Sequence, residues 1–150
     1  TSIDPSFRVT STSVDLPLWR GLGRDVPAAE ALAMLADSQT VASWEKLRTG
    51  ETVPYPIQMI EFTASYRWVM LAGEPCTDVG RRVKRVFANG ATFVAGYCND
   101  MRSYVPSRRI AVEGGYEGRT SFQCFGLDHS LHPDTEDVIA RGVEKLKNAI

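Results

Sequence analysis

Residues 57–98 read IQMIEFTASYRWVMLAGEPCTDVGRRVKRVFANGATFVAGYC, and the change of hydrophobic period inside this run decides the fold. Residues 57–63 and 66–71 are rich in β-branched and aromatic side chains and are separated only by Ala64-Ser65, which predicts a hairpin. From Thr77 the period becomes helical: Val79, Val83, Val86 and Phe87 recur at i, i+4, i+7 and i+8, one face of a helix over 77–87. Thr77 and Asp78 stand where caps belong, and Asn89-Gly90 is a stop signal. Residues 91–98 return to an extended run, apolar on both faces and therefore expected at the centre of a sheet. Strand, helix, strand in that order predicts a right-handed βαβ crossover.

Outward from this core the chain keeps alternating. Residues 7–16 alternate loosely between apolar and Ser/Thr positions and read as an opening strand. A turn-rich stretch with Gly21 and Gly23 follows, then Pro27 at a helix start over 28–36, with Asp25 as its candidate cap. A second short helix is expected over 41–47 and a loop over 50–56, where Pro54 and Pro56 argue against regular structure. Pro106 opens a short helix reaching Glu113, and residues 120–125 read as another strand. Pro133 opens the last helix; Asp134, Glu136 and Asp137 favour its N-terminal dipole, and Ile139, Val143, Leu146 and Ile150 form its apolar stripe. There are no repeats and no low-complexity linker. The expectation is one α/β domain over 1–150: a mixed sheet of about five strands, flanking helices, at least one βαβ unit and a C-terminal helix.

Composition narrows the function. Seventeen Lys and Arg against eighteen Asp and Glu give a net charge of −1, without the basic excess that phosphate binding requires, so a nucleic-acid partner is not expected. The one basic run, Arg81-Arg82-Val83-Lys84-Arg85, falls on the solvent side of an amphipathic helix. No apolar run approaches the ~18 residues of a membrane span. Residues 1–15 are polar and carry no leader, which would lie upstream of them. Three scattered cysteines, Cys76, Cys98 and Cys124, match neither a zinc spacing nor a disulfide framework; buried thiols are expected for at least two.

Three residues carry the candidate chemistry. Glu74 ends an apolar strand and precedes Pro75, where a carboxylate can ligate a metal, act as a base, cap the next helix or face water. Tyr104 follows the third strand. A phenol ligates metal only after losing a proton of pKa near 10, so packing is the competing role. Tyr116 follows Gly114-Gly115, which suits either close approach to a ligand or a plain turn with an aromatic plug. A thiol enzyme using Cys98 or Cys76 lacks a suitably placed histidine, and Gly114-Gly115 with Arg119 lacks the longer glycine pattern of a phosphate loop. His129 and His132 have a spacing that could bind metal, but histidines at a helix start are more often exposed or hydrogen-bonded.

Glu74 followed by Gly80-Arg81-Arg82, then Tyr104 and, twelve positions on, Tyr116-Glu117-Gly118, resembles the neutral (non-lysosomal) ceramidase family of zinc amidohydrolases. Phe125-Gly126-Leu127-Asp128-His129-Ser130-Leu131 before the last helix is similar to the family's Phe-Gly-Pro-His-Thr-Leu segment, so the likeness covers about residues 55–150. The chain departs from the family's Thr-Thr-x-Glu-Glu-Tyr run, carrying Pro106-Ser107-Arg108-Arg109-Ile110-Ala111 instead. The resemblance implies Glu74 and Tyr104 as zinc ligands and Tyr116 as the residue that positions the reacting groups. It further implies an N-acyl lipid substrate and a secreted or periplasmic setting. In that family the histidine ligands lie in an upstream half. By this resemblance the chain is the C-terminal part of a longer hydrolase, its partner is the N-terminal half of the same protein, and alone it is inactive and binds zinc weakly or not at all. The alternative is a non-catalytic α/β binding or scaffolding domain with no metal site.

Overall fold

The hairpin expected over 57–71 forms, and its first strand is far longer than its apolar run. In the computed structural model, which describes residues 7–149, β1 (Arg8–Trp19) runs antiparallel to β2 (Arg48–Thr63) from Arg8 opposite Glu61 to Pro17 opposite Thr52. Residues 50–56 are thus strand and not loop. β3 (Tyr66–Leu71) joins β2 only from Ile57 onward, so along Pro54 and Pro56 one edge of β2 carries no ladder for a missing N–H to break.

Between β1 and β2 lie α1 (Ala28–Ala36), α2 (Ser38–Ser43) and a 3-10 turn at Trp44–Leu47. The second helix starts earlier than its apolar positions indicate, because the Asp37 carboxylate accepts the N–H groups of Gln39 and Thr40. Asp25 does not cap α1, whose N-cap is Pro27; its carboxylate instead accepts from the Gly115 N–H at 2.8 Å and from Arg119 Nε at 2.9 Å.

β4 (Glu74–Pro75) leads into α3 (Thr77–Lys84), and β5 (Ala91–Ala95) returns parallel to β3, which completes the expected βαβ unit. Cys76 is the N-cap of α3, so Thr77 and Asp78 belong to its first turn; Asp78 pairs with Arg81 and Arg109. β5 is an edge strand, not a central one: the order is β5-β3-β2-β1-β7, and Phe93 is 54% exposed.

β6 (Tyr104–Val105) pairs with β4 in a separate two-stranded sheet, and α4 (Arg108–Glu113) follows, capped by the Ser107 hydroxyl. The strand expected over 120–125 does not form. Gly114 and Gly115, both at positive φ, turn the chain back, and it winds as a π turn (Tyr116–Thr120) and a 3-10 turn (Ser121–Phe125) beside α4. β7 (Ser130–Leu131) pairs with the end of β1, and α5 (Thr135–Asn148) closes the fold.

The molecule is therefore α/β, with a five-stranded mixed sheet and a C-terminal helix. One sheet face is covered by α3 and α5: Ile139, Val143 and Leu146 join Ile57, Met59, Val69, Leu71, Val79 and Val83 in the main core. Ile150, the last residue of the expected stripe, lies outside the described residues. A second, smaller core gathers Trp19, Trp44, Ala31 and Val112 under α1 and α4.

Candidate active site

The site is made where β3 runs out. Gly73 has φ +62°, and a side chain there would place its Cβ 2.2 Å from the Ser103 carbonyl oxygen, so only glycine lets the two segments meet. The Gly73 N–H donates to Asp100 O, Glu74 N–H to Ser103 O, and Cys76 N–H to Val105 O, all at 2.9–3.0 Å. These bonds bring Glu74 directly opposite Tyr104 in the parallel β4–β6 pair.

A second segment docks on the other side. Tyr97 N–H donates to Gly73 O at 2.7 Å and Cys98 N–H to Leu71 O at 3.0 Å. Tyr97 and Asn99 both adopt positive φ, +58° and +67°. That conformation is uncommon for a bulky side chain and persists only where surroundings over-determine it. Its effect is to turn the Tyr97 phenol onto Glu74.

The Glu74 carboxylate acts electrostatically on two phenols, Tyr97 and Tyr104. Glu74 pushes the Tyr97 phenol up to about 12, and the negative charge of Glu74 is the main cause of the raised Tyr104 phenol. Tyr116 sits behind Tyr104, ring edge to ring face at 5.3 Å, with Phe125 on Tyr104 at 6.2 Å. The Tyr116 phenol is also raised, chiefly by Cys124, whose Sγ lies 4.0 Å from the hydroxyl.

Glu74 forms the wall between two open clefts. One, about 510 Å³, is lined by Glu74, Tyr104, Arg109 and Glu117. The other, about 420 Å³, is lined by Glu74, Tyr97, Arg81 and Lys84. Both are of a size that holds small ligands. Of the three residues chosen from sequence, Glu74 and Tyr104 share a cleft; Tyr116 lies outside both linings and reaches the site through the Tyr104 ring. Tyr97 was missed, and its one sequence signal is its place at the end of an apolar strand just before Asn99-Asp100.

A second group of potential ligands lies elsewhere. Glu45, His132 and Asp134 bring their donor atoms within 4.8 Å of one another. His132 is 1% exposed, and its Nδ1 accepts the Asp134 N–H at 3.1 Å, so it is buried and hydrogen-bonded. Arg48 bonds both Glu45 and Asp134, and Arg108 bonds Asp134 and Asp137. Two guanidinium groups thus already supply the cations these carboxylates need, and burial followed by the charge of Arg48 holds the His132 imidazole below its usual pKa. His129 is half-buried. Cys76 and Cys98 are half-buried as well, and Cys124 is exposed, so the expectation of two buried thiols is not met.

No family model matches the chain, and no curated protein matches it. Among solved structures it is similar to part of neutral ceramidase from Pseudomonas aeruginosa, with a TM-score of 0.47 and 15% identity, over 95% of this chain and 29% of that one. The chain thus spans less than a third of that ceramidase. Among the described residues no helix is long and apolar enough to cross a membrane.

Proposed function

We propose that this chain is the C-terminal part of a zinc-dependent amidohydrolase resembling neutral ceramidase, one that hydrolyses the N-acyl amide bond of ceramide-like lipids. The observation that supports this reading is the pairing of Glu74 with Tyr104, two residues named from sequence that meet opposite each other on a shared cleft. In this reading Glu74 and Tyr104 hold the metal. Their oxygens are a suitable but incomplete donor set, because catalytic zinc takes three protein ligands and a water. The remaining ligands come from the N-terminal half of the same protein, and the chain by itself is inactive. A zinc ion held by Glu74 and Tyr104 together with the upstream ligands would supply a water of pKa lowered to ~7 and a Lewis acid for the amide carbonyl.

The chain's own residues have separate tasks. Glu74 lines the cleft, and its carboxylate acts on the Tyr97 phenol in the neighbouring cleft. Tyr104 gives up its phenolic proton only next to a strong cation, since Glu74 alone favours its neutral form. Tyr116 supplies a hydroxyl behind Tyr104 that donates to the developing oxyanion, a contact worth about 3–4 kcal/mol when preorganised.

The test is an assay of N-acyl amides with the polypeptide extended by its own preceding coding region. Tyr116→Phe is expected to lower kcat by ~10²-fold or more while zinc content stays the same. Unchanged kcat in that variant would remove Tyr116 from the chemistry. An extended protein that cleaves no amide in the panel would favour the non-catalytic, scaffolding reading.

A further inference from the structure

The sheet has two faces, and among the described residues only one is covered. Pairing across β1, β2, β3 and β5 aligns Val9, Ile60, Trp68 and Phe93 in a single row on the face away from α3 and α5. The next row on that face is Ser11, Gln58, Met70 and Ala95. Phe62 and Tyr66 extend the aromatic row, and Phe7 stacks on Phe62 at 6.5 Å. None of these residues is charged. Trp68 donates its Nε1–H to the Tyr66 hydroxyl at 2.9 Å, so even the indole's polar end is satisfied within the patch. A sheet face that meets water normally carries polar and charged side chains; here the row through Trp68 is wholly apolar, and the polar Ser11 and Gln58 stand only in the next row.

We propose that a second copy of this chain covers the face, the two sheets packing face to face about a two-fold axis through the Trp68 row. Size is the first argument. Phe7, Val9, Phe62, Trp68 and Phe93 remain 37–62% exposed. At roughly 150–250 Å² per large side chain they present on the order of 500 Å² of apolar surface. A standard dimer interface buries about 800 Å² per partner, of which roughly 60% is apolar, so the patch matches the apolar core of one such interface. Charge is the second. A two-fold contact sets each residue near the axis against its own kind, which forbids rows of like charge. The Val9–Phe93 row and its neighbour meet that condition, and they present no charge for a polar or nucleic-acid partner to recognise. Among the described residues β5 adds an open edge, Ala91–Ala95, without the lysine, proline or charge that usually guards one. The inference is independent of the chemistry at Glu74, because no residue of this face belongs to that site.

The test is sedimentation equilibrium of the polypeptide extended by its own preceding coding region, from about 1 to 100 µM (concentrations on the order of those that resolve a micromolar dimer). A mass of twice that polypeptide is expected at the upper end. Trp68→Glu and Trp68→Lys, whose side chains point away from the core, should each weaken association at least ~30-fold with circular dichroism unchanged. Mixing the two variants should restore a dimer, because the opposed charges then meet across the axis. A chain that stays monomeric throughout, or a dimer that survives Trp68→Glu, overturns the proposal. Failure of the mixed variants to associate would overturn the two-fold arrangement. Since no metal and no substrate enter these measurements, their outcome leaves the amidohydrolase reading to its own test.

Discussion

Glu74 meets no guanidinium or ammonium group within ion-pair distance among the described residues, and its charge raises two nearby phenols, Tyr97 and Tyr104. The consequence can be titrated. Tyr97 is pushed up to about 12, chiefly by Glu74, so its neutral form is favoured in the folded state. That contribution to stability is fully present below the ordinary phenol pKa near 10 and is lost as pH rises from there through about 12. Phenolate absorbance should show several late tyrosines, Tyr55, Tyr97, Tyr104 and Tyr116, and Glu74→Gln should move part of that late absorbance, from Tyr97 and Tyr104, back towards ~10. His132 works in the opposite sense. Burial holds its imidazole below the usual value, so the unfolded chain binds the proton more readily. Stability should be full above about 6.5 and fall as pH drops below it, a slope that disappears in His132→Gln when denaturant midpoints are compared. That Glu74 and Tyr104 lie opposite each other on one cleft agrees with the resemblance that singled both out in the sequence. Tyr97 was not legible there, since a left-handed backbone at a tyrosine leaves no signature in residue type, and the burial of His132 follows from Trp19 and the β1–β7 contact far from it in sequence.

At the level of elements, the β4–β6 pair is two residues long and is held by the close approach at Gly73. Gly73→Ala sets a Cβ against the Ser103 carbonyl and forces an alanine to positive φ. We expect a loss of more than about 2 kcal/mol in chemical denaturation. Tyr97 should also return towards an ordinary pKa, because Glu74 is no longer held in place. Undiminished stability would mean that the junction relaxes easily and does not fix the site. The hairpin, the βαβ unit and the final helix could be read from period alone, because burial on one face imposes that period. The errors have local causes. Prolines looked like loop at 50–56 because the sequence does not say which edge of a strand is unpaired. Residues 91–95 looked central because their apolar outer side faces no part of this chain that the structure describes.

For the whole molecule, two boundaries stand open among the described residues: an apolar sheet face with no cover, and the cleft that Glu74 and Tyr104 line. The amidohydrolase reading depends on the second. Its most direct test is the zinc content of the polypeptide extended by its preceding coding region, measured by atomic emission for the wild type, Glu74→Ala and Tyr104→Phe, with folding checked by circular dichroism. The account predicts about one zinc per chain in the wild type and a loss of at least ~10-fold in zinc affinity in each variant. Full zinc occupancy of both variants at the same affinity would contradict it.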